Sequence, residues 1–225
     1  MAEIHRMFRA GFNEGPTLVT GVAEGDAAHA DVVGDHLDML SVGLHGHHEG
    51  EDTMLWSPLE TRAPSCAVHV ERMRAQHAEM LVHLHELDAA LPAWRTSGRS
   101  TDAAGVLAAL EGVNVALAEH LPDEEQHIVP VMETVITQKE VDALSEHGRR
   151  ATPKGKLFQQ LGAILAAQPD GGDAWQRQHL PAPVRLIWRV IGKPKYKANR
   201  AALTGNPNVE STPPTVEQEQ DGHEG

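Results

Sequence analysis

The chain has 225 residues, enough for one substantial domain with extensions or for two small ones, and it can bury a sizeable core without disulfides. Aromatic residues make up 4% of the chain, too few for a typical strand-rich sandwich or barrel, so the composition favours an all-α fold. The net charge of −13 argues against general nucleic-acid binding, because that affinity requires Lys and Arg to neutralise phosphates.

Four helices are predicted within residues 1–135, because apolar residues there recur at intervals of three and four. Helix A covers about residues 3–22, with a kink at Gly15-Pro16, and helix B covers about 28–61 behind Asp26 as its N-cap. Helix C follows Pro64 and is expected to end at Pro92. Helix D comes after a polar linker, and Pro122 is expected to distort it locally.

The last third of the chain differs in composition. Thr137 and Glu140 have the spacing of a capping box, which predicts a fifth helix, and residues 155–167 predict another short one. Residues 177–200 contain seven basic side chains and no acidic one. This basic segment suits an anionic lipid surface or an acidic partner, but the acidic bundle of the same chain is the preferred partner.

These patterns predict three regions: a metal-binding bundle over residues 1–135, a helical extension packed on it over 136–203, and a disordered tail over 204–225. Cys66 is the only cysteine, which excludes an intramolecular disulfide and fits a reducing compartment. The first residues lack the apolar core of a secretory signal, and no uninterrupted apolar stretch approaches 18 residues. We therefore expect a cytoplasmic protein with no membrane span.

The placement of the 15 histidines determines the functional prediction, since histidine is the commonest metal ligand. An ordered set of residues recurs at a fixed offset of 72 between the two halves of the helical region. The corresponding pairs are His5 and His77, His48 and His120, Asp52 and Glu124, Trp56 and Ile128, and Pro58 and Pro130. The repeat predicts two similar helical hairpins that each contribute two histidines and one carboxylate.

The pairs His48/Asp52 and His120/Glu124 are each four residues apart, so both members lie on one helix face and can reach one site. Two hairpins packed as a bundle would direct four imidazoles and two carboxylates into one interior. Unpaired buried carboxylates are costly, and a pair of cations removes that cost. Such ligands suit iron or manganese and also accept zinc.

Helix B offers a second choice, because His47 and Glu51 are also four residues apart and lie near the same face. Helical phase does not separate this pair from His48/Asp52. The offset of 72 and the spacing to Pro58 favour His48/Asp52, and Glu49 is a further candidate carboxylate.

The sequence resembles the hemerythrin (HHE cation-binding) family over about residues 3–134. The resemblance rests on His5, the segment HHEGEDTMLW, His77 and the segment HLPDEEQHIVP. It implies an up-down-up-down four-helix bundle that holds a non-haem di-iron centre with an oxo or hydroxo bridge. It also implies terminal and bridging ligands, which by position are His5, His48, His77 and His120 as terminal ligands and Asp52 and Glu124 as bridges.

Two departures from the family's oxygen carriers affect the prediction. Those proteins have an additional His one turn before the ligand at His77, where this chain has Met73, and they usually have Glu where this chain has Asp52. A missing neutral ligand leaves a position for water, peroxide or another small molecule. This favours redox turnover or sensing over reversible oxygen carriage.

The sequence thus predicts a protein with two non-haem iron ions that binds or reacts with dioxygen, peroxide or nitric oxide, including peroxide disproportionation. The alternative is a non-catalytic iron- or oxygen-sensing module whose basic segment 177–200 contacts a partner. Manganese or zinc remains compatible with the same residues.

Overall fold

A computed structural model describes residues 1–205, and every regular element in this range is helical. Four long helices pack in a ring in which each contacts its neighbours in sequence, and the first contacts the last. They are α1 (Ala2–Thr20), α2 (Ala27–Gly50), α4 (Ala67–Ser97) and α5 (Ser100–His127). Consecutive members are antiparallel, because short connections join them. The predicted all-α, up-down-up-down four-helix bundle is confirmed.

Helix α2 continues beyond Gly50 as a π-helical turn, Glu51–Leu55, and then as α3 (Trp56–Arg62). The predicted N-cap is confirmed, since the Asp26 side chain accepts a hydrogen bond from the backbone N–H of His29 at 3.0 Å. The sequence predicts this region as one helix and does not predict the π turn. A π turn inserts an extra residue into a helix and is frequent at functional sites.

Three prolines lie inside the long helices, namely Pro16 in α1, Pro92 in α4 and Pro122 in α5. The expectation that Pro92 ends helix C is wrong, because α4 continues to Ser97 and ends before Gly98, whose φ is +60°. Trp94 lies in this last turn with 1% of its surface exposed, and its packing offsets the hydrogen bond that the proline removes. In α1, Asn114 Nδ2 donates to the Phe12 carbonyl at 3.1 Å, the acceptor that Pro16 leaves without an N–H donor.

Smaller helices follow the bundle, and the predicted capping box of Thr137 and Glu140 is confirmed. They are α6 (Val129–Val135), α7 (Gln138–Ala151), α8 (Leu157–Ala166), α9 (Asp173–His179), α10 (Ala182–Ile187), a second π turn (Trp188–Gly192) and α11 (Lys193–Thr204). Helix α8 packs on α1, and α11 packs on α2 and α8. Thr204 belongs to α11, and the predicted tail from residue 206 onward lies outside the described residues.

Besides the helix packing, polar contacts attach α11, which contains the C-terminal end of the basic segment 177–200, to the bundle. Arg200 on α11 donates to Glu14 on α1 at 2.8 Å, and the ring of His29 hydrogen-bonds to the Leu203 carbonyl at 2.9 Å. Leu203 itself is buried in the main core. The C-terminal end of the basic segment, which lies in α11, therefore packs on the bundle as expected.

The bundle interior has two apolar layers along its length. The larger one includes Leu44, Met80 and Leu117, and the smaller one includes Leu55, Met73 and Ile128. The polar residues that the sequence singles out lie between these layers on each helix.

Among the described residues, the helical stretch Ser100–Val135 is long and apolar enough, by length and composition, to cross a membrane. Its buried side chains, which include Leu110, Val113 and Leu117, pack within the main core. This is the pattern of a core helix in a bundle.

His36 on α2 is expected to make the fold sensitive to acid. Burial and the nearby Arg200 lower its pKa from 6.5 to about 4, and its Nε2 has no partner among residues 1–205. The unfolded chain binds a proton below pH 6.5 that the folded chain resists until about pH 4. His36 therefore lowers the free energy of unfolding by about 2 kcal/mol between pH 7.5 and pH 5.

His36→Gln should reduce the loss of stability between pH 7.5 and pH 5 by about that amount, as measured by urea unfolding at both pH values. His83→Gln, at a half-exposed position on α4, is the matched control and should leave the difference unchanged. An unaltered pH dependence in the His36 variant would contradict this assignment.

Candidate metal centre

Between the two apolar layers, ligand-type side chains converge from all four bundle helices. Group I consists of His48, Glu51, His77 and His120, and group II consists of His5, His47, Glu51 and Glu124. Within each group, the potential ligand atoms all lie within 4.8 Å of one another. Glu51 belongs to both groups, so they form one continuous centre of five histidines and two glutamates that could hold metal.

The helices place these residues through simple spacing. His5 is on α1, His77 is on α4, and the pairs 47/51 and 120/124 bring a His and a Glu onto one face of α2 and α5. Glu51 is the first residue of the π turn. Six of the seven side chains are buried, and His47 is 12% exposed.

Three of the five rings use Nδ1 to contact an acceptor at the edge of the centre. The contacts are His5 to Glu125 Oε1 at 2.9 Å, His77 to Asp52 Oδ1 at 2.8 Å, and His120 to Gln76 Oε1 at 3.1 Å. A carboxylate or amide oxygen can only accept, so each of these rings carries its proton on Nδ1. Their Nε2 atoms therefore present lone pairs to the centre, as outer partners of metal-binding histidines ensure.

These lone pairs oppose one another at short range. Nε2 of His77 lies 3.3 Å from Nε2 of His120, and both rings donate through Nδ1. Nε2 of His5 lies 3.2 Å from Nε2 of His47 and 3.3 Å from Glu124 Oε2. Electron-rich atoms at these separations need a proton or a cation between them. The donor set therefore fits metal ions.

Burial favours the neutral form of His48 and His120. It acts with the neighbouring His77 to lower the pKa of His48 well below its ordinary value, and to lower that of His120 to about 3. Burial and the nearby Glu124 raise the pKa of Glu51 well above its ordinary value. Both carboxylate oxygens of Glu51 and Glu124, and Nε2 of His48, have no hydrogen-bond partner among the described residues. Metal ions would give these atoms the partners that buried polar groups require.

Five of the six predicted ligands lie in the two groups, namely His5, His48, His77, His120 and Glu124. Asp52 lies outside both. It accepts hydrogen bonds from His77 Nδ1 and from Trp56 Nε1, the latter at 2.6 Å, and its side chain is 44% exposed. Partial burial acts to raise the pKa of Asp52, but the two hydrogen bonds outweigh this effect and hold the pKa below its ordinary value. Asp52 therefore positions the His77 ring, and Glu51 faces the centre.

The rival pair on helix B is part of the centre as well. His47 and Glu51 both belong to the centre, whereas only His48 of the pair His48/Asp52 does. The third candidate carboxylate, Glu49, is 68% exposed and lies 3.7 Å from His147 Nε2, away from both groups.

The π turn explains why the repeat indicated Asp52. It adds one residue to the first hairpin between its His–Glu pair and its proline. The offset is therefore 73 for His47/His120 and Glu51/Glu124, but 72 for Pro58/Pro130. The sequence contained both offsets, and a search that allowed one inserted residue would have found Glu51. Gln76 and Glu125, which hold two of the rings, were not predicted.

Met73 does not leave group I short of imidazoles. Its side chain is buried in the smaller apolar layer, and His48 stacks on the His77 ring with centroids 4.1 Å apart. Group I therefore contains three histidines. The four predicted histidines are joined by a fifth imidazole, His47 of helix B, which lies in group II.

An all-α bundle with a buried centre of imidazoles and carboxylates from all four helices defines a helical metal-binding protein. The chain belongs to the hemerythrin HHE cation-binding domain family, whose model matches residues 1–177. The match covers the bundle and extends through α7 and α8. Comparison with curated proteins and with solved structures gave no match.

Proposed function

We propose that the chain binds two non-haem iron ions, one in each group, and that the loaded centre binds or reacts with dioxygen, peroxide or nitric oxide. The observation that carries this proposal is the pair of buried imidazoles, His77 and His120, whose Nε2 atoms face each other at 3.3 Å. Membership of the family supports iron as the metal. The absence of thiolate from both groups is also compatible with manganese or zinc.

Glu51 and Glu124 are the residues that would bridge the two ions. Glu51 Oε1 lies 3.3 Å from His47 Nε2 in group II, and its Oε2 lies 3.5 Å from His77 Nε2 in group I. Glu124 Oε2 lies 3.3 Å from His5 Nε2 and 3.6 Å from His120 Nε2. Each carboxylate thus reaches imidazoles of both groups, whereas Asp52 reaches His77 from outside.

Two adjacent iron ions supply a two-electron redox centre when bound, which suits a reaction that exchanges electron pairs. Peroxide disproportionation is such a reaction, since one H₂O₂ is reduced to two waters while a second is oxidised to dioxygen. The chain's own residues hold the Nδ1 protons of three rings in place. The apolar layers on either side limit the entry of water. A cytoplasmic location belongs to the same proposal.

The test is metal analysis and the absorption spectrum of untagged protein, followed by peroxide consumption with dioxygen release. We expect about two irons per chain and turnover that depends on them. His77→Ala should lower metal occupancy to about one ion or less, while His83→Ala, at a half-exposed position on the same helix, should not. Equal iron content in the two variants would contradict the assignment.

A second candidate is the iron- or oxygen-sensing module. Helix α7 packs on α2 beside the centre, where a Cβ on Gly50 would lie 3.1 Å from the His147 ring. Metal binding by Glu51 would therefore alter the packing of α7 on α2. A metal-dependent change in proteolysis of residues 137–205, without peroxide turnover, would favour the sensor over the enzyme.

A further inference from the structure

An amphipathic segment on the outside of the protein, residues 182–197, is formed by α10, the second π turn and the start of α11. Five large apolar side chains within eight consecutive positions are between 39% and 63% exposed. They are Val184, Leu186, Ile187, Val190 and Ile191. Exposed apolar residues are ordinary when scattered singly, but a continuous set indicates a contact surface.

The opposite side of the segment is anchored to the protein. Trp188 is 6% exposed, and a Cβ on Gly192 would lie 2.8 Å from the Phe158 ring of α8. The Tyr196 ring lies so close to Gly162 that a Cβ there would be 2.2 Å away. The segment is thus held on α8 by its inner face, and its apolar face points outward.

Basic residues accompany this apolar face. Residues 177–200 carry seven Lys and Arg and no Asp or Glu, so the rest of the chain has a formal charge of −20 against the total of −13. Arg189, Lys193 and Lys197 are exposed. The occupant of this surface must therefore accept both apolar side chains and positive charge.

A second copy of the chain does not meet both requirements. Other exposed large apolar residues among 1–205 lie on α4, α5 and α8, at Val68, Leu81, Val82, Val115 and Leu157, and none forms a comparable run. Pairing of two amphipathic segments would bring two sets of basic residues together. An anionic bilayer offers an apolar interior beneath a negatively charged surface, and a helix of this kind lies in that interface.

We propose that the amphipathic segment docks the protein on an anionic lipid surface. The apolar side chains enter the boundary between head groups and acyl chains, and the basic side chains contact the lipid phosphates. The acidic bundle then faces away from the membrane. This interaction does not depend on the metal centre.

The test is co-sedimentation of the full chain with vesicles of phosphatidylcholine alone and of phosphatidylcholine with phosphatidylglycerol. We expect binding to the anionic vesicles that weakens in high salt, and at least tenfold weaker binding to the neutral ones. Leu186→Ser/Val190→Ser should weaken anionic binding by about tenfold, because it removes two inserted side chains. Arg189→Gln/Lys193→Gln should also weaken it by about tenfold at low salt.

The matched controls are Val68→Ser/Val115→Ser, which changes exposed apolar residues elsewhere, and Arg149→Gln/Arg150→Gln, which removes two exposed charges on α7. Both controls should bind vesicles like the wild type, and circular dichroism should show that every variant is folded. Equal binding to neutral and anionic vesicles, or unchanged binding by the Leu186/Val190 variant, would overturn the proposal. Self-association that this variant abolishes, without vesicle binding, would assign the surface to a second copy instead.

Discussion

Glu51→Gln is expected to remove most of the bound metal, whereas Asp52→Asn should retain two ions per chain at saturating metal. Glu51 is 1% exposed and is shared by both groups, so its loss affects both ions. Asp52 contacts the centre only through His77 Nδ1, at 2.8 Å. A change to such an outer partner lowers metal affinity by about 10–100-fold but leaves the metal ligands in place.

Metal titration followed by plasma mass spectrometry checks this prediction. Glu49→Gln, on the same helix but exposed, is the matched control and should bind metal like the wild type. Retention of both ions by Glu51→Gln together with their loss from Asp52→Asn would show that Asp52 is the ligand, as the offset of 72 had indicated.

Removal of the metal is expected to lower the stability of the fold more than any single surface substitution. Without ions, four carboxylate oxygens of Glu51 and Glu124 are buried with no hydrogen-bond partner within residues 1–205. Each ion bound at a concentration one hundredfold above its dissociation constant adds about 2.7 kcal/mol, so two add about 5 kcal/mol. For a chain of this size, that corresponds to a fall of about 10 °C or more in Tm on chelation.

The effect should depend on pH in a defined direction. The raised pKa of Glu51 means that a proton must leave before metal binds, so stabilisation by metal should increase as pH rises from 5.5 to 7.5. Differential scanning calorimetry with and without chelator measures both effects.

Glu51→Gln/Glu124→Gln is the informative variant for this experiment. It should be insensitive to chelator and more stable than the metal-free wild type, because neutral amides replace two adjacent buried carboxyl groups. A wild-type Tm that chelation does not change would contradict the prediction of a metal-stabilised core.

The fold followed from the sequence because apolar periodicity specifies which side of each helix is buried. In helix B, Val33, Leu37, Leu40 and Leu44 recur at intervals of three and four, and all four are buried in the main core. Local rules failed where tertiary packing outweighed them. Pro92 does not end α4, because Trp94 beyond it is buried against the bundle.

The candidate site was harder to predict, because a prediction from sequence assumes a uniform helical period. Such a period gives no sign of the π turn at Glu51–Leu55. A constant offset assigns Asp52 to the position of Glu124, and one inserted residue moves that position to Glu51. The outer acceptors Gln76 and Glu125 are ordinary polar residues in the sequence. Only their three-dimensional placement beside His120 and His5 distinguishes them.

The π turn also determines the symmetry of the molecule. Two identical hairpins could exchange places by a twofold rotation, and the ions between them would then be equivalent. One additional residue in a single hairpin, together with His48, breaks that rotation: group I has three imidazoles and the shared carboxylate of Glu51, while group II has two imidazoles and two carboxylates. The two groups are therefore chemically distinct, and we expect a half-loaded protein to be a single species rather than a mixture of two equivalent ones.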